Sequence, residues 1–477
     1  MLIPWSRMKP ASGPAFLLIV LFLLTGSLLS CKGALLLKSQ AERGDPAGVY
    51  DPDYEGRDSR TFYAWNTKNR KTYSVNAVHL AENDYCVIYG EPSAGISLAA
   101  AENIAAEFKN GVYPVITEMF GDFREYMSGR DFGRYDKLTL FLLDIKDDYD
   151  PQTNLSYIAG YFNPQNMYRS SQYASSNEAA LLYVDVNPGT INEDFFSAIA
   201  HEFQHLINYS IRMQQQGGGN IYVKSQDVWI DEGLSAAAEY LYHGRHIQKR
   251  VDYFNTDVHG RISRGDTFFI WDGWFEDYCT VYLFFQWLRI QAGEQAEIYK
   301  DIIHSNYLDY RAVTRAAAEH LGGQFGDWET LLGHWLLANC VNAEDGYLGY
   351  KQEIKTEIRD FYSTRTSLAP GEGVFSFLDG GGFTPNTQSG AHIRYLGVTQ
   401  AGERIDAPEG VFPAGKTGRL LTFNANSQNS AQAEDGYLTG RRDPFRPQVR
   451  DGGAAREAVP AQEGPLPIDI PPAFFLE

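Results

Sequence analysis

The chain has 477 residues, 44% of them apolar and 14% aromatic, which is enough for more than one domain and a core of ordinary depth. Its formal net charge is −19 and its pI about 5.0. No basic stripe runs along it, so a protein that tracks nucleic-acid phosphates is excluded and no nucleic-acid partner is expected.

Residues 1–30 read as a targeting segment rather than part of the fold. Arg7 and Lys9 make a positive start, and "AFLLIVLFLL" (15–24) is an apolar run too short for a comfortable transmembrane helix. Small residues then lead to Cys31 in "GSLLSCKG". The pattern resembles a bacterial lipoprotein signal, which implies a lipid anchor on Cys31 at a bacterial membrane. Plain secretion and an uncleaved anchor helix are the other two readings, and all three put the remaining chain outside the cytoplasm. Beyond Cys31 only Cys86, Cys279 and Cys340 remain, too few for a disulfide scaffold and without CxxC spacing. One disulfide among them stays open.

Residues 31–70 are polar and weakly periodic, and read as a tether. Residues 72–90 read as two short strands around the turn residues Asn83 and Asp84. An alanine-rich helix is expected over 96–110. "KLTLFLLDI" (137–145) and "AALLYVDV" (179–186) are apolar runs of strand length, the second closed by "NPG" at 187–189. Thr190 and Glu193 then show capping-box spacing ahead of a run with helical periodicity. Further helices are expected at 231–244, 278–291, 294–305, 314–321 and 327–342. Around residue 360 the character changes. A main domain over 71–360 is therefore followed by a small β-rich appendage at 361–424 and a low-complexity, disordered tail at 425–477.

The helix after Thr190 carries "AIAHEFQHLINY" (198–209). His201 and His205 lie one turn apart on one face, so two imidazoles can reach one ion, and Glu202 stands where it can take a proton from a metal-activated water. Catalytic zinc takes three protein ligands and keeps one open position. The alternative, a helix that merely carries two polar histidines, is weighed by looking for the third ligand. A metzincin needs Gly and His at positions held here by Asn208 and Ile211, so that pattern fails. "DVWIDEGLSAAAEYLY" (227–242) instead offers Glu232, and Glu239 two turns later. Glu239 either holds a ligand histidine in orientation or is a solvated carboxylate.

"HEFQH…WIDEGLSAAAE" resembles the gluzincin pattern, in which the glutamate of a Trp-x-Asn/Asp-Glu-Gly stretch is the third zinc ligand. "DYCTVYLFFQWLRIQAG" (277–293) resembles the gluzincin helix that begins with an oxyanion-stabilising tyrosine. The resemblance assigns that role to Tyr278, although the usual Lys–Gly pair after it is replaced by Thr280 and Val281. Tyr278 as a core aromatic and Tyr282 as the donor remain alternatives. With "GYFNPQN" (160–166), residues 75–350 most resemble the hyicolysin-type neutral metallopeptidases.

The resemblance implies an α+β, thermolysin-like domain: an N-terminal mixed sheet, the active-site helix and a helical second half. It implies Zn²⁺ on His201, His205 and Glu232, with Glu202 as base, acting on a peptide or protein substrate. "AALLYVDV" is expected either as the edge strand that pairs with that substrate or as an ordinary buried strand. The Gly-x-Met-Glu-Asn segment of zinc aminopeptidases is not found, which favours endopeptidase action over that rival. A non-catalytic surface lipoprotein has little reason to keep Glu202. His243 and His246 are expected at a helix end away from the metal, "DDYD" (147–150) as a solvated turn, and "WDGWF" (271–275) as an aromatic plug.

Overall fold

The computed structural model describes residues 54–127, 134–217, 223–271, 273–293, 296–361, 368–380, 392–399, 401–427 and 474–476. The expected signal segment and Cys31 lie outside them. The chain begins with β1 (Ser59–Asn66), β2 (Lys71–Glu82) and β3 (Cys86–Gly90), followed by α1 (Leu98–Glu107), a π turn, α2 (Tyr113–Phe120) and α3 (Phe123–Met127). Then come β4 (Arg134–Leu143), β5 (Tyr157–Phe162), β6 (Ala179–Asp185) and α4 (Glu193–Gln215). The helical half is α5 (Val228–His243), α6 (Gln248–Thr256), α7 (Phe275–Ala292), α8 (Glu297–His304), α9 (Tyr310–His320) and α10 (Trp328–Val341). The strands β7 (Gly373–Asp379), β8 (Ile393–Val398), β9 (Arg404–Ile405), β10 (Thr417–Asn424) and β11 (Phe474–Leu476) complete it. The architecture is α+β.

Among the described residues seven strands form the main sheet in the order β1-β2-β3-β4-β6-β5-β11. Strands β3, β4 and β6 are parallel, whereas β5 runs antiparallel to both β6 and β11. Side chains alternate across the sheet with period two. Leu138, Leu140 and Leu142 of β4 and Ala180, Leu182 and Val184 of β6 join the large helix-side core. Phe141 and Leu143, with Ala179, Leu181 and Tyr183, join a second core that Phe62, Ala64, Val75 and Ala77 share on the other face.

Four expectations change here. Residues 59–66, read as tether, are strand β1, paired over all eight residues with β2. Residues 179–186 are not an edge: β6 is flanked by β4 and β5 and every one of its residues is buried. A continuous apolar run fits burial on both faces, which is a property of interior strands. Within the expected tail, Phe474–Leu476 pairs with β5, a short aromatic segment that the Pro/Gly/Ala-rich surroundings hid. Finally, α4 is capped by Asn192, whose side chain accepts from the Phe195 amide at 3.1 Å, so Thr190 is not the cap. Strands β7, β8, β9 and β10 form a second sheet in the order β7-β10-β8-β9, packed on α10 through Leu396 and Phe423 close to Gly333.

Helix α7 is apolar and buried nearly all round, whereas α4 is buried along most of its length although it carries polar residues such as His201, Glu202, Gln204 and His205. No helix among the described residues is long and apolar enough to cross a membrane. Cys86 and Cys279 are buried and Cys340 half-buried, and no disulfide joins them among the described residues. Burial pushes the Cys86 thiol up to about 12.

At the end of β6, Asp185 is 2% exposed and accepts from the Ile145 amide at 2.8 Å, while its Oδ2 makes no hydrogen bond. Burial, reinforced by Asp147 and Asp144, raises its pKa to about 8. A carboxyl whose folded pKa lies above its unfolded value costs stability as pH rises from about 4 to 8, because the native state then holds the extra proton. Asp185→Asn is therefore expected to stabilise the fold by a few kcal/mol (~2–4) at pH 8 and to matter little at pH 4. Urea unfolding at the two pH values measures this, and an unchanged pH slope would count against it.

Candidate metal centre

Helix α4 places His201 and His205 one above the other, their ring centroids 4.8 Å apart and their planes at 74°. Helix α5 packs against α4 and brings Glu232 between them. His201 Nε2 lies 3.3 Å from Glu232 Oε2, and His205 Nε2 lies 3.6 Å from Glu232 Oε1. One donor atom from each of the three residues lies within 4.8 Å of the others, and all three side chains are buried. The close approach of α5 to α7 behind Glu232 rests on Gly233: a Cβ there would sit 2.1 Å from the Phe285 ring of α7. Gly233→Ala is thus expected to cost about 1–3 kcal/mol by overpacking and to weaken metal binding by moving Glu232. Urea unfolding and metal titration on the same variant test both arms.

The opposite nitrogens of the two rings are tied down. His201 Nδ1 lies 2.8 Å from Glu239 Oε1. His205 Nδ1 lies 2.9 Å from Asp231 Oδ2 and 3.1 Å from Ser235 Oγ, and Asn208 Nδ2 donates to the other Asp231 oxygen at 2.6 Å. In its neutral form, with Nδ1–H donating to a carboxylate, each ring has its Nε2 lone pair aimed at the space beside Glu232. Asp231 was not singled out from the sequence, though it sits in the Asn/Asp place of the Trp-x-Asn/Asp-Glu-Gly stretch. Its role was legible there.

Electrostatics make the trio expensive on its own. Burial raises the Glu232 carboxyl well above its ordinary value. Burial presses the His205 imidazole toward neutrality, yet Asp231 and Glu232 hold its pKa up to about 10. For His201, burial and then His205 and Arg250 hold the pKa well below the usual imidazole value. Both Glu232 oxygens and His205 Nε2 are buried without a hydrogen bond. Unpaired buried polar atoms of this kind cost several kcal/mol apiece unless an ion takes them as ligands. The donor set of two imidazoles and a carboxylate fits a metal ion at this point.

Glu202 is 1% exposed and lies under β5, where a Cβ on Gly160 would come within 3.4 Å of its Cγ. Tyr278, on α7, is also buried. Burial first, then Glu232 and Glu202, raise its hydroxyl well above the ordinary phenol value, so it stays protonated and within electrostatic reach of both carboxylates. Tyr282, the competing donor, is engaged elsewhere: its hydroxyl accepts from the Ile247 amide at 3.0 Å and meets His246 Nδ1 at 3.2 Å. Trp271 of the "WDGWF" cluster stacks edge-on against Tyr278 at 4.9 Å.

The two other candidate histidines stand away from the centre. His243 contacts Ser197 Oγ and Glu193, and His246 contacts Glu353, so neither joins the trio. In "DDYD", Asp147 and Asp150 accept from backbone amides and hold a turn, but the turn is not solvated throughout: Asp147 is buried and accepts from the Ile158 amide of β5. Among the described residues the trio is the one His/Cys/Asp/Glu group with metal-binding spacing.

The fold and site thus define a chain of mixed helices and strands with a buried two-histidine, one-glutamate centre that could hold a metal ion. No family model matches the chain. It is 30% identical over 234 residues to the neutral metalloprotease ShpI of Staphylococcus hyicus, a match that covers 46% of this chain and 49% of that protein. The chain spans about half the length of the curated relative it matches.

Proposed function

We propose that the protein is an exported zinc-dependent metalloendopeptidase with a thermolysin-like catalytic domain of the gluzincin, hyicolysin-type kind, anchored by lipid at Cys31 outside the cytoplasm of a bacterial cell. The observation that carries the reading is the Nε2 atom of each histidine facing Glu232, at 3.3 and 3.6 Å, while the Nδ1 atoms are held by Glu239 and Asp231. The likeness to a neutral metalloprotease supports the peptidase class. The signal-like start and Cys31 support export.

When bound by His201, His205 and Glu232, zinc supplies Lewis acidity to the scissile carbonyl and makes water acidic enough to react at neutral pH. Glu202 takes the proton from the attacking water as the C–O bond forms and delivers it to the amine nitrogen as the C–N bond breaks. Tyr278 donates a hydrogen bond to the carbonyl oxygen as that oxygen gains negative charge. Glu239 and Asp231 hold the imidazoles in the tautomer this requires.

The test is metal content and protein cleavage by the purified full-length chain, before and after a chelator and after zinc is restored. One zinc per chain with casein cleavage that follows the zinc supports the reading. A chain that binds zinc and cleaves no protein or peptide substrate overturns it.

A further inference from the structure

We propose that Arg250, on α6, is a positioning residue that ties the orientation of the first zinc ligand to that of the oxyanion donor. The inference rests on the metallopeptidase reading above. Arg250 is 2% exposed, and a buried guanidinium is retained only where its partners fix it. Its Nη2 lies 2.5 Å from Glu239 Oε1, the same oxygen that meets His201 Nδ1 at 2.8 Å. Its guanidinium carbon stands 5.9 Å from the centre of the Tyr278 ring and 5.6 Å from that of Tyr282. One flat cation therefore touches both the carboxylate that sets the His201 ring and the ring that carries the Tyr278 hydroxyl.

The geometry gives Arg250 two separable actions. Toward Glu239 it supplies a second donor at a fixed angle, and the other oxygen, Oε2, has Ser197 Oγ at 3.4 Å. Without Arg250 the carboxylate can rotate and the His201 ring with it. Toward Tyr278 it supplies the face contact that a planar guanidinium makes with an aromatic ring. A lysine ammonium reaches the carboxylate as a point charge but does not reproduce the flat stacking surface.

The experiment compares the full-length chain with Arg250→Met, Arg250→Lys, Glu239→Gln and the Lys/Gln double variant. Zinc affinity is read by competition with a metallochromic chelator, which needs no turnover, and kcat and KM are read on a quenched peptide. Arg250→Met is expected to lose about 10–100-fold in zinc affinity and to lower kcat with KM little changed. Arg250→Lys is expected to recover most of the zinc affinity and only part of kcat. In the double variant the two affinity losses are expected to be less than additive, because both act through one carboxylate. Wild-type zinc affinity and kcat in a folded Arg250→Met overturn the proposal. If that variant does not fold, additive losses in the Lys/Gln cycle overturn it instead. Failure of the peptidase reading shows itself separately, as a wild-type chain that binds zinc and cleaves nothing, and the affinity arm still decides the role of Arg250. A wild-type chain that binds no zinc overturns both.

Discussion

Glu202→Gln is expected to leave a folded chain that binds zinc as tightly as the wild type and cleaves protein about 10²–10⁴ times more slowly, the range that loss of a general base produces. The structural reason is that Glu202 stands beside the metal trio without belonging to it. The trio is His201, His205 and Glu232, and Glu202 follows His201 on the same helix, turned toward Gly160 of β5. Glutamine keeps the shape of the side chain and so the packing under β5, while losing the capacity to take a proton. Zinc stoichiometry and kcat on the same preparation are the two readings needed. Full activity would remove Glu202 from the mechanism, and loss of zinc together with activity would move it into the ligand set.

The second large effect has opposite signs in the two metal states. Without metal, Glu232→Gln is expected to be more stable than the wild type, because the wild-type carboxyl is fully buried with both oxygens lacking a hydrogen bond. Its pKa is raised by burial, so the native carboxyl costs stability as pH climbs above the unfolded value. The advantage of the amide should be absent near pH 4 and should grow toward neutrality. With zinc the order reverses. The wild type gains about 4 kcal/mol at a thousandfold excess over its Kd, and the variant, deprived of its anionic ligand, gains little. Melting curves with and without zinc at pH 5 and 7.5 test this. A metal-free variant less stable than the wild type at pH 7.5 would count against it.

Much of the candidate site was legible because its logic is local. His201, Glu202 and His205 are fixed by one helix, and Glu232 and Glu239 by another, so spacing along the chain became spacing on a face. What could not be read was whatever depends on which elements meet. Arg250 lies on α6, a short and mostly polar helix, and its meaning comes only from packing against Glu239. The interior place of β6 was written in its unbroken apolar run, but strand order is set by pairing between segments far apart in the chain. Strand β1 was missed for the same reason, since its exposed positions made "SRTFYAWN" look like a polar lead-in until β2 paired with it.

The buried thiols have a practical consequence. A thiol reacts as its anion and only where reagent can reach it; Cys86 and Cys279 are both buried in the native fold, and burial also pushes the Cys86 thiol up. Cys86 lies in the main sheet and Cys279 in the helical half, beside the tyrosine of the centre. Alkylation at these two peptides, followed by mass spectrometry, therefore times the opening of each half separately. The chain carries two internal clocks, and whether they run together would tell whether the sheet and the helical half come apart as one unit or as two.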